Sequence, residues 1–400
     1  MLNITELGKE QQITPIWRLA FRPFFLFGAL FSSVSILFWG LFLAGKVSFT
    51  PYADALFWHS HEMLFGFVSI FIIGFLLTAG QTWTGRRSIH GMPLVGLFML
   101  WLAGRVLMFL GGPLPAVVVA IIDLSFIPFA AFYFYRMVKS AGNKRNLFFV
   151  PILLLIFTAN LLFHLSHLLQ NPFFKVWGTN AVLMLIGLVM TIVAGRVMPM
   201  FTANGSGTPK VEPIVWIEKS AIGSVIVLAV CYVSGLAYWL PDPLMAVLFS
   251  LAAITHLLRV IRWKPWVTLR FPLLWSLHLA YWFIPLAFSL FALYKFGWLA
   301  QQSIAVHALT AGAMGSMILS IICRVSLGHT GRPLTPPYFV TLALFFVVLA
   351  GGLRSLGMLS GMQVPLLLSV ASGLWCLAYL LFVLGYARIL LSPRIDGRPG

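Results

Sequence analysis

The sequence predicts an all-α polytopic membrane protein of about twelve transmembrane helices. Of its 400 residues, 60% are hydrophobic and only 9% are charged, and its mean hydropathy is +0.98. Soluble domains contain about 25% charged residues, so this composition excludes a water-soluble enzyme. A membrane helix needs about 20 apolar residues, and twelve such helices with short connections use nearly the whole chain. We therefore expect the binding chemistry to lie inside the membrane.

Long apolar stretches, each too long for a β-strand, define the predicted helices. They lack the alternation over about ten residues that is typical of an outer-membrane barrel. Turn-forming groups such as Asn171-Pro172 and Gly331-Arg332-Pro333 separate them. In order along the chain, the predicted spans are 23–44, 57–79, 92–111, 115–137, 147–170, 178–200, 218–240, 243–260, 271–294, 301–323, 337–358 and 365–391.

The basic residues are distributed unequally between the two sides of the predicted membrane. The chain has 26 Lys and Arg against 9 Asp and Glu, a formal net charge of +17. Most of these cations fall in one alternating set of connections, and the opposite set holds Lys46, Lys175, Lys295 and Arg354. Cytoplasmic loops of membrane proteins carry the excess of Lys and Arg. Both termini are therefore predicted to be cytoplasmic, and the charge indicates loops rather than nucleic-acid binding.

Three of the predicted spans resemble one another and indicate an internal repeat. Overlaying residues 61–86 on residues 307–332 aligns His61 with His307, and residues 179–204 overlay on the same segment. Because these are the second, sixth and tenth spans, the repeating unit is four helices. We predict one integral membrane domain, residues 1–400, with four-helix repeats at about 18–137, 147–260 and 271–391. This arrangement resembles the heme-copper oxidases at the level of the fold only.

Five of the nine histidines fall in one layer near the outer ends of the predicted spans. An ionisable residue inside a membrane is a functional candidate by default, and neutral imidazole is a common ligand of heme iron and copper. For any single histidine, a hydrogen bond to a neighbouring carbonyl is the simpler interpretation. Five in one layer favour a site with several metal centres, and the deeper His278 is a further candidate ligand. The five are His59, His61, His164, His167 and His307.

The spacing of these histidines predicts which of them can share a ligand. His59 and His61 are two residues apart, which is about 200° around a helix, so they face different neighbours. His164 and His167 are three residues apart and share a face. We therefore predict that His59 and His61 bridge two centres. His307, which aligns with His61, is the predicted partner ligand, together with His164 or His167.

The few charged residues of the spans allow two hypotheses. Arg105 of the third span and Asp123 of the fourth span could form an ion pair across their helical hairpin. Alternatively, Arg105 and Arg354 could hold the carboxylates of a heme, because the guanidinium fork matches a carboxylate. Glu62, directly after His61, is expected to orient an imidazole or to accept a proton. The chain has no CxxCH motif, so a heme would be of the b type, without covalent attachment.

Five motifs spread over nearly the whole chain resemble the NnrS family. The resemblance implies a bacterial inner-membrane protein that holds heme and copper and takes part in the response to nitric oxide and nitrosative stress. The motifs are RLAFRPFFLFGAL (18–30), WHSHEMLFGF (58–67), AGRVMPMFTANG (194–205), SLHLAYWF (276–283) and HALTAGAMGSMILSIICRVSLGHTGRPL (307–334).

Three classes of function remain open. The first is a metalloprotein that binds or transforms nitric oxide or a related small molecule at a heme near the outer face, as an oxidoreductase if it turns over. The second is a secondary transporter that exports a metal or a nitrosyl-iron species. The third is a heme-binding electron carrier or sensor. Polar residues gathered in the outer layer favour the first and third, because transporter sites lie near the membrane midplane. The electron donor is not indicated, and membrane lipid is the other expected partner.

The acidic residues predict the side from which protons would come. Glu212 and Glu218 are assigned to the connection after the sixth span, which leaves the cytoplasmic halves of the spans without a carboxylate. Proton pumps need protonatable residues across the membrane. Any reduction of nitric oxide is therefore expected to take protons from the outer side.

Overall fold

The computed structural model describes residues 7–112, 114–360 and 363–398, except for the side chains of Leu7 and Lys9. Within these residues the fold is all-helical, without a β-strand. Twelve of the described helices are long and apolar enough to cross a membrane, as predicted. They are α1 Phe21–Leu43, α2 Ala55–Thr84, α3 Met92–Leu110, α4 Ala116–Ser140, α5 Lys144–Leu168, α6 Pro172–Ser206, α7 Val215–Val233, α8 Asp242–Arg262, α9 Pro272–Lys295, α10 Gln302–His329, α11 Tyr338–Leu359 and α12 Val364–Leu391.

Two helices differ most from their predicted bounds. The predicted seventh span continues to residue 240, whereas α7 ends at Val233 because Gly235 adopts a left-handed conformation with φ of 79°. The predicted sixth span covers 178–200, whereas α6 begins at Pro172 and continues to Ser206. Proline is favoured at a helix start because its missing N–H would have no helical partner there. Hydropathy detects only the apolar part of such a helix, and the polar ends extend it.

The chain divides into two compact units, each made of segments that are distant in sequence. Unit 1 contains Met1–Thr179, Ile322–Leu334 and Leu380–Gly400, and unit 2 contains Asn180–Ile321 and Thr335–Tyr379. Helices α1 to α5 therefore belong to unit 1, and α7, α8, α9 and α11 belong to unit 2. The predicted four-helix repeats remain a prediction.

In unit 1, α2 lies inside the bundle, as its apolar sequence predicts. In its most apolar 18-residue window 78% of the residues are buried, against 33% for α1. Glycines allow α1 and α2 to approach closely: a Cβ on Gly28 would lie 2.9 Å from the Phe71 ring, and one on Gly74 would lie 3.0 Å from the Cβ of Phe24. Small residues at such crossings bring helix backbones together and increase van der Waals contact.

In unit 2, α9 and α10 occupy the corresponding interior position. Their most apolar windows are 72% and 67% buried. A Cβ on Gly351 of α11 would lie 2.6 Å from the Cα of Gly312 on α10. These two helices therefore meet backbone to backbone, which only glycine permits at this distance.

A π-helical segment interrupts both α2 and α10. The segments are Glu62–Val68 and Ala308–Gly315, and each begins directly after a histidine, His61 or His307. The sequence overlay of these two spans aligns the same two histidines. A π-turn within an α-helix is rare and occurs frequently at functional sites. The side chains around each segment are therefore candidates for a functional site.

Candidate metal centre

The π-helical turn of α2 makes room for a buried guanidinium. Gly66 lies in the turn, and a Cβ at this position would collide with Nη1 of Arg105 and lie 2.8 Å from Oε2 of Glu62. Trp101, one turn before Arg105 on α3, donates from Nε1 to the Gly66 carbonyl at 2.9 Å. Glycine is therefore required where the side chain of Arg105 crosses α2.

Arg105 binds two carboxylates inside unit 1. Its Nη1 donates to both oxygens of Glu62, at 2.9 and 3.0 Å, and its Nη2 donates to Oδ1 of Asp123. All three side chains are almost fully buried. The predicted ion pair between Arg105 and Asp123 is confirmed, whereas a role of Arg105 in holding a heme stays a prediction.

Two imidazoles and an amide converge on the other oxygen of Asp123. His61 Nε2 lies 3.1 Å from Oδ2, and His164 Nε2 lies 3.1 Å from the same atom. The Asn160 amide donates to Oδ2 at 2.8 Å, and its own oxygen lies 2.9 Å from His61 Nε2. The three donor atoms of His61, Asp123 and His164 all lie within 4.8 Å of one another.

The opposite ring nitrogens bind residues that orient the two imidazoles. His61 Nδ1 lies 3.0 Å from Oε1 of Glu62; because a carboxylate only accepts, Nδ1 carries a hydrogen. His164 Nδ1 lies 3.2 Å from the hydroxyl of Tyr52. Burial, together with the negative charge of Asp123, raises the pKa of Tyr52, so its phenol stays neutral. Histidine ligands of metals commonly use one nitrogen in this way and coordinate with the other.

The loop before α2 places Tyr52 beside this cluster. Its backbone N–H donates to the Met108 carbonyl of α3 at 3.0 Å. Two residues later, Asp54 caps the N-terminus of α2 by accepting from the Phe57 N–H at 2.8 Å. The loop is thus anchored on both sides of Tyr52, which fixes the hydroxyl against His164.

The charges of the two carboxylates and of Arg105 in the cluster do not cancel. Glu62 and Asp123 carry two negative charges, and Arg105 carries one positive charge, which leaves a net charge of about −1 in a buried environment. A buried charge without compensation is strongly unfavourable. Either an imidazolium proton or a metal cation must therefore occupy the space where the two Nε2 atoms meet Asp123.

The donor set fits a single metal ion. Imidazole and carboxylate ligands bind first-row metals at about 2.0–2.2 Å, so neighbouring donor atoms in such a site lie roughly 3 Å apart. The distances of 3.1 Å from Oδ2 to each Nε2 match this spacing. Two histidines with one carboxylate suit iron, copper or zinc. Because the Asp123 oxygen touches both imidazoles, an ion fits between them and a heme plane does not.

A comparison with known protein families identifies the chain. The sequence profile of the family described as NnrS protein matches residues 15–394. The chain belongs to the NnrS family. No curated protein matches the sequence. Membership supports a role in the nitric oxide response and agrees with the twelve membrane-type helices. One of the family-like motifs, residues 58–67, supplies His61, Glu62 and Gly66 to the cluster described above.

Two other predicted histidines of this NnrS protein lie close to the cluster in unit 1. His59 stacks on Trp39, with ring centroids 4.3 Å apart and planes within 5°. His59 and His61 therefore face different neighbours, as their spacing predicts. The His167 ring lies 4.7 Å from Tyr52 and the His164 ring lies 5.4 Å from it, so the predicted shared face is confirmed. A second centre at His59 stays a prediction.

The remaining predicted ligands of this NnrS protein belong to unit 2. His307 Nδ1 donates to the Ser303 carbonyl at 2.7 Å. His278 Nε2 lies 2.9 Å from the Thr202 hydroxyl, and its buried Nδ1 has no hydrogen-bond partner among the described residues. Metal binding at His278 and His307 stays a prediction, as does cofactor binding by Arg354.

Sequence reasoning missed three polar residues that matter here. Asn160 and Tyr52 were not singled out, although Asn160 lies one helical turn before His164 on a strongly apolar helix, which is a usable signal. The placement of Glu218 in a connection was wrong. It lies in the first turn of α7 and forms an ion pair with Arg259 of α8. The predicted span 218–240 begins at this residue, whereas α7 begins three residues earlier, at Val215, which places Glu218 inside the helix.

Proposed function

We propose that this NnrS-family chain is a membrane metalloprotein that binds nitric oxide or a related small molecule at a metal ion held by His61, Asp123 and His164. The observation that carries the proposal is the convergence of two imidazole nitrogens on one carboxylate oxygen in a buried cluster with net negative charge. Copper is the first candidate ion, because the family resemblance implies copper and imidazole suits it.

The surrounding residues would perform four tasks at such a centre. Glu62 holds the His61 ring and Tyr52 holds the His164 ring, each through Nδ1. Arg105 holds Asp123 by donating to Oδ1, the carboxylate oxygen that does not face the imidazoles. When bound, the metal supplies a redox-active Lewis acid to which a diatomic molecule can bind. A water-excluding wall around the imidazoles comes from aromatic rings, namely Phe57, Phe65 and Phe163.

We also propose that the protein carries heme b at a place other than this cluster. The cluster has no room for a macrocycle, so the heme ligands are sought among His59, His167, His278 and His307. His278 fits best by its contacts, because its buried Nδ1 has no partner among the described residues. The Lys and Arg distribution supports cytoplasmic termini, and the family resemblance implies the bacterial inner membrane. The metal centre then lies near the outer face.

The experiment compares two histidines that lie one turn apart on the same face of α5. Purified wild-type protein, His164→Ala and His167→Ala are assayed for copper and iron by mass spectrometry and for heme by the pyridine hemochrome spectrum. We expect His164→Ala to lose most of the non-heme metal and His167→Ala to keep it. Infrared spectra under nitric oxide should show a metal–nitrosyl band that His164→Ala lacks. Equal metal content in all three proteins would refute the centre.

A further inference from the structure

Arg354 of α11 is a cation without a counter-charge in its unit. Among the described residues it has no ion pair and no hydrogen bond, and its Nη1 is buried. A long basic side chain near a helix end often extends its charged head to water. Here Nη1 is buried, although the residue as a whole is partly exposed. The buried end of the guanidinium therefore needs an anion that the contacts do not supply.

The acidic residues of unit 2 cannot meet this need. The sequence of the unit contains three carboxylates, Glu212, Glu218 and Asp242. Glu218 is paired with Arg259, and Asp242 is paired with Lys295. Glu212 is exposed in the connection between α6 and α7. The compensating anion must therefore come from outside the unit.

The helix contacts place Arg354 at the same level as His307. Gly351 of α11 touches Gly312 in the π-helical segment of α10. Consecutive spans run antiparallel. Arg354 lies about one turn from this contact on α11, and His307 lies about one turn from it on α10, toward the same end of the bundle. Arg354 and His307 therefore lie at the same level along the seam between the two helices.

The π-helical segment of unit 1 shows what is missing from this seam. Glu62 follows His61 there, and both of its oxygens accept from Nη1 of Arg105. In unit 2 the residue that follows His307 is Ala308, which has no charge to offer Arg354. In unit 1 a protein carboxylate, Glu62, compensates the charge of the guanidinium. In unit 2 the corresponding position holds alanine, so no protein carboxylate compensates Arg354 there.

We propose that Arg354 binds the anionic group, a carboxylate or a phosphate, of a ligand that lies along the seam of α10 and α11 beside His307. The planar fork of a guanidinium forms two parallel hydrogen bonds to either group. Three sources share this chemistry: the carboxylates of a heme, the phosphate of a phospholipid headgroup, and a free inorganic anion. Only the heme source rests on the proposed function; the site itself does not need the centre at His61.

The test uses full-length protein in four forms: wild type, Arg354→Gln, Arg354→Lys and the control Lys295→Gln. The control removes a cation of the same unit that already has a partner, Asp242. Three probes distinguish the sources. Hemin is titrated by its Soret band, nanodiscs of phosphatidylglycerol are compared with nanodiscs of phosphatidylcholine by thermal midpoint, and inorganic phosphate is titrated by the same midpoint.

We expect Arg354→Gln to lower the affinity for one of the three probes by about tenfold or more, as for the loss of hydrogen bonds to a charged group. Arg354→Lys should keep part of the affinity, and Lys295→Gln should match the wild type. The probe that responds identifies the source. If Arg354→Gln responds to all three probes as the wild type does, the proposal is overturned. An equal fall in the thermal midpoint of Arg354→Gln with and without each probe also overturns it, because this result indicates a structural role.

Two controls keep the outcome interpretable. If Arg354→Gln does not fold, Arg354→Lys decides the question, because lysine keeps the charge but lacks the fork. Wild-type affinity of Arg354→Lys for every probe then overturns the proposal. Non-heme metal content is measured in every variant, so a failure of the centre at His61 is seen separately from a failure of the anion site.

Discussion

Arg105 in unit 1 and Arg259 in unit 2 occupy similar surroundings but reach different charge balances. Each is buried, each crosses a glycine whose Cβ would collide with it, and each lies beside a histidine. Arg105 meets two carboxylates, whereas among the described residues Arg259 pairs with one, Glu218. Before any proton or metal on the histidines is counted, the first cluster therefore carries a net negative charge, and the second is neutral. Only the first cluster needs a further cation.

The histidine beside Arg259 shows the same contrast in its hydrogen bonds. His256 Nε2 donates to the Ala221 carbonyl at 3.2 Å, and its Nδ1 accepts from the Tyr281 hydroxyl at 2.8 Å. Arg259 Nη1 donates to the Tyr281 oxygen at 3.1 Å. Every nitrogen of His256 thus has a partner of complementary type. In unit 1, His164 has complementary partners in the same way, Tyr52 and Asp123, whereas both nitrogens of His61 face acceptor oxygens. A buried histidine therefore indicates a bound cation, either a second proton or a metal ion, only when both of its nitrogens face acceptors.

The largest effect is expected from removing the shared carboxylate of unit 1. Asp123→Asn leaves the guanidinium of Arg105 with less compensation and removes the central donor of the cluster. We expect a loss of about 3–5 kcal/mol in the free energy of unfolding and the loss of the non-heme metal. Unfolding in mixed micelles by added dodecyl sulfate measures the first, and metal analysis measures the second. Retention of stoichiometric metal by Asp123→Asn would contradict the proposed difference between the two clusters.

A smaller loss is expected from the corresponding change in unit 2. Glu218→Gln unpairs Arg259, but the Glu218 side chain is 24% exposed, so solvent screens part of the interaction. We expect a loss of about 1–3 kcal/mol in the same unfolding assay. Non-heme metal content should equal that of the wild type, because the cluster of Arg259 is neutral. A parallel loss of metal would show that the two clusters are not independent.

Two tyrosine hydroxyls give a matched pair for the next test. Tyr281→Phe removes the bond to His256 and should cost about 1–2 kcal/mol of stability without a change in metal. Tyr52→Phe removes the bond to His164 and should reduce metal affinity by about 10–100-fold, as for other groups that orient a histidine ligand. Competition with a chromophoric chelator measures the affinity. The proposed difference between the two clusters is supported if only Tyr52→Phe lowers the metal affinity.

The smallest effect is expected at the pair of Arg394 and Asp396, whose carboxylate is more exposed than that of Glu218. Hydrogen bonds from the Arg394 side chain lower the pKa of Asp396 from 3.8 to about 2. Because the pKa in the folded state is lowered, the pair stabilises the fold above about pH 4, and this contribution is lost as the pH falls through 2. The thermal midpoint of Asp396→Asn should therefore fall less than that of the wild type between pH 5 and pH 2.5. A loss as large as that of Glu218→Gln at neutral pH would contradict this order of effects.

Much of the candidate site was predictable because its signals are local. Helical spacing was enough to separate His59 from His61 and to join His164 to His167. The few charges within apolar spans were enough to suggest the pair of Arg105 and Asp123. The partners of His256 were not predictable, since Tyr281 and Arg259 lie on helices whose mutual rotation depends on packing. Glu218 was misplaced because hydropathy does not distinguish a polar first turn from a loop.

The sequence by itself determined the class of protein and the number of helices, because apolar length is a property of single segments. Only the tertiary structure decided which donors meet. The π-helical turn after His61 sets the direction of Glu62 and makes room for Arg105, and a loop brings Tyr52 to His164. Charge balance is also a tertiary property, because it counts carboxylates and guanidiniums from separate helices. The net charge around Arg105, around Arg259 and around Arg354 is visible only after the helices have packed.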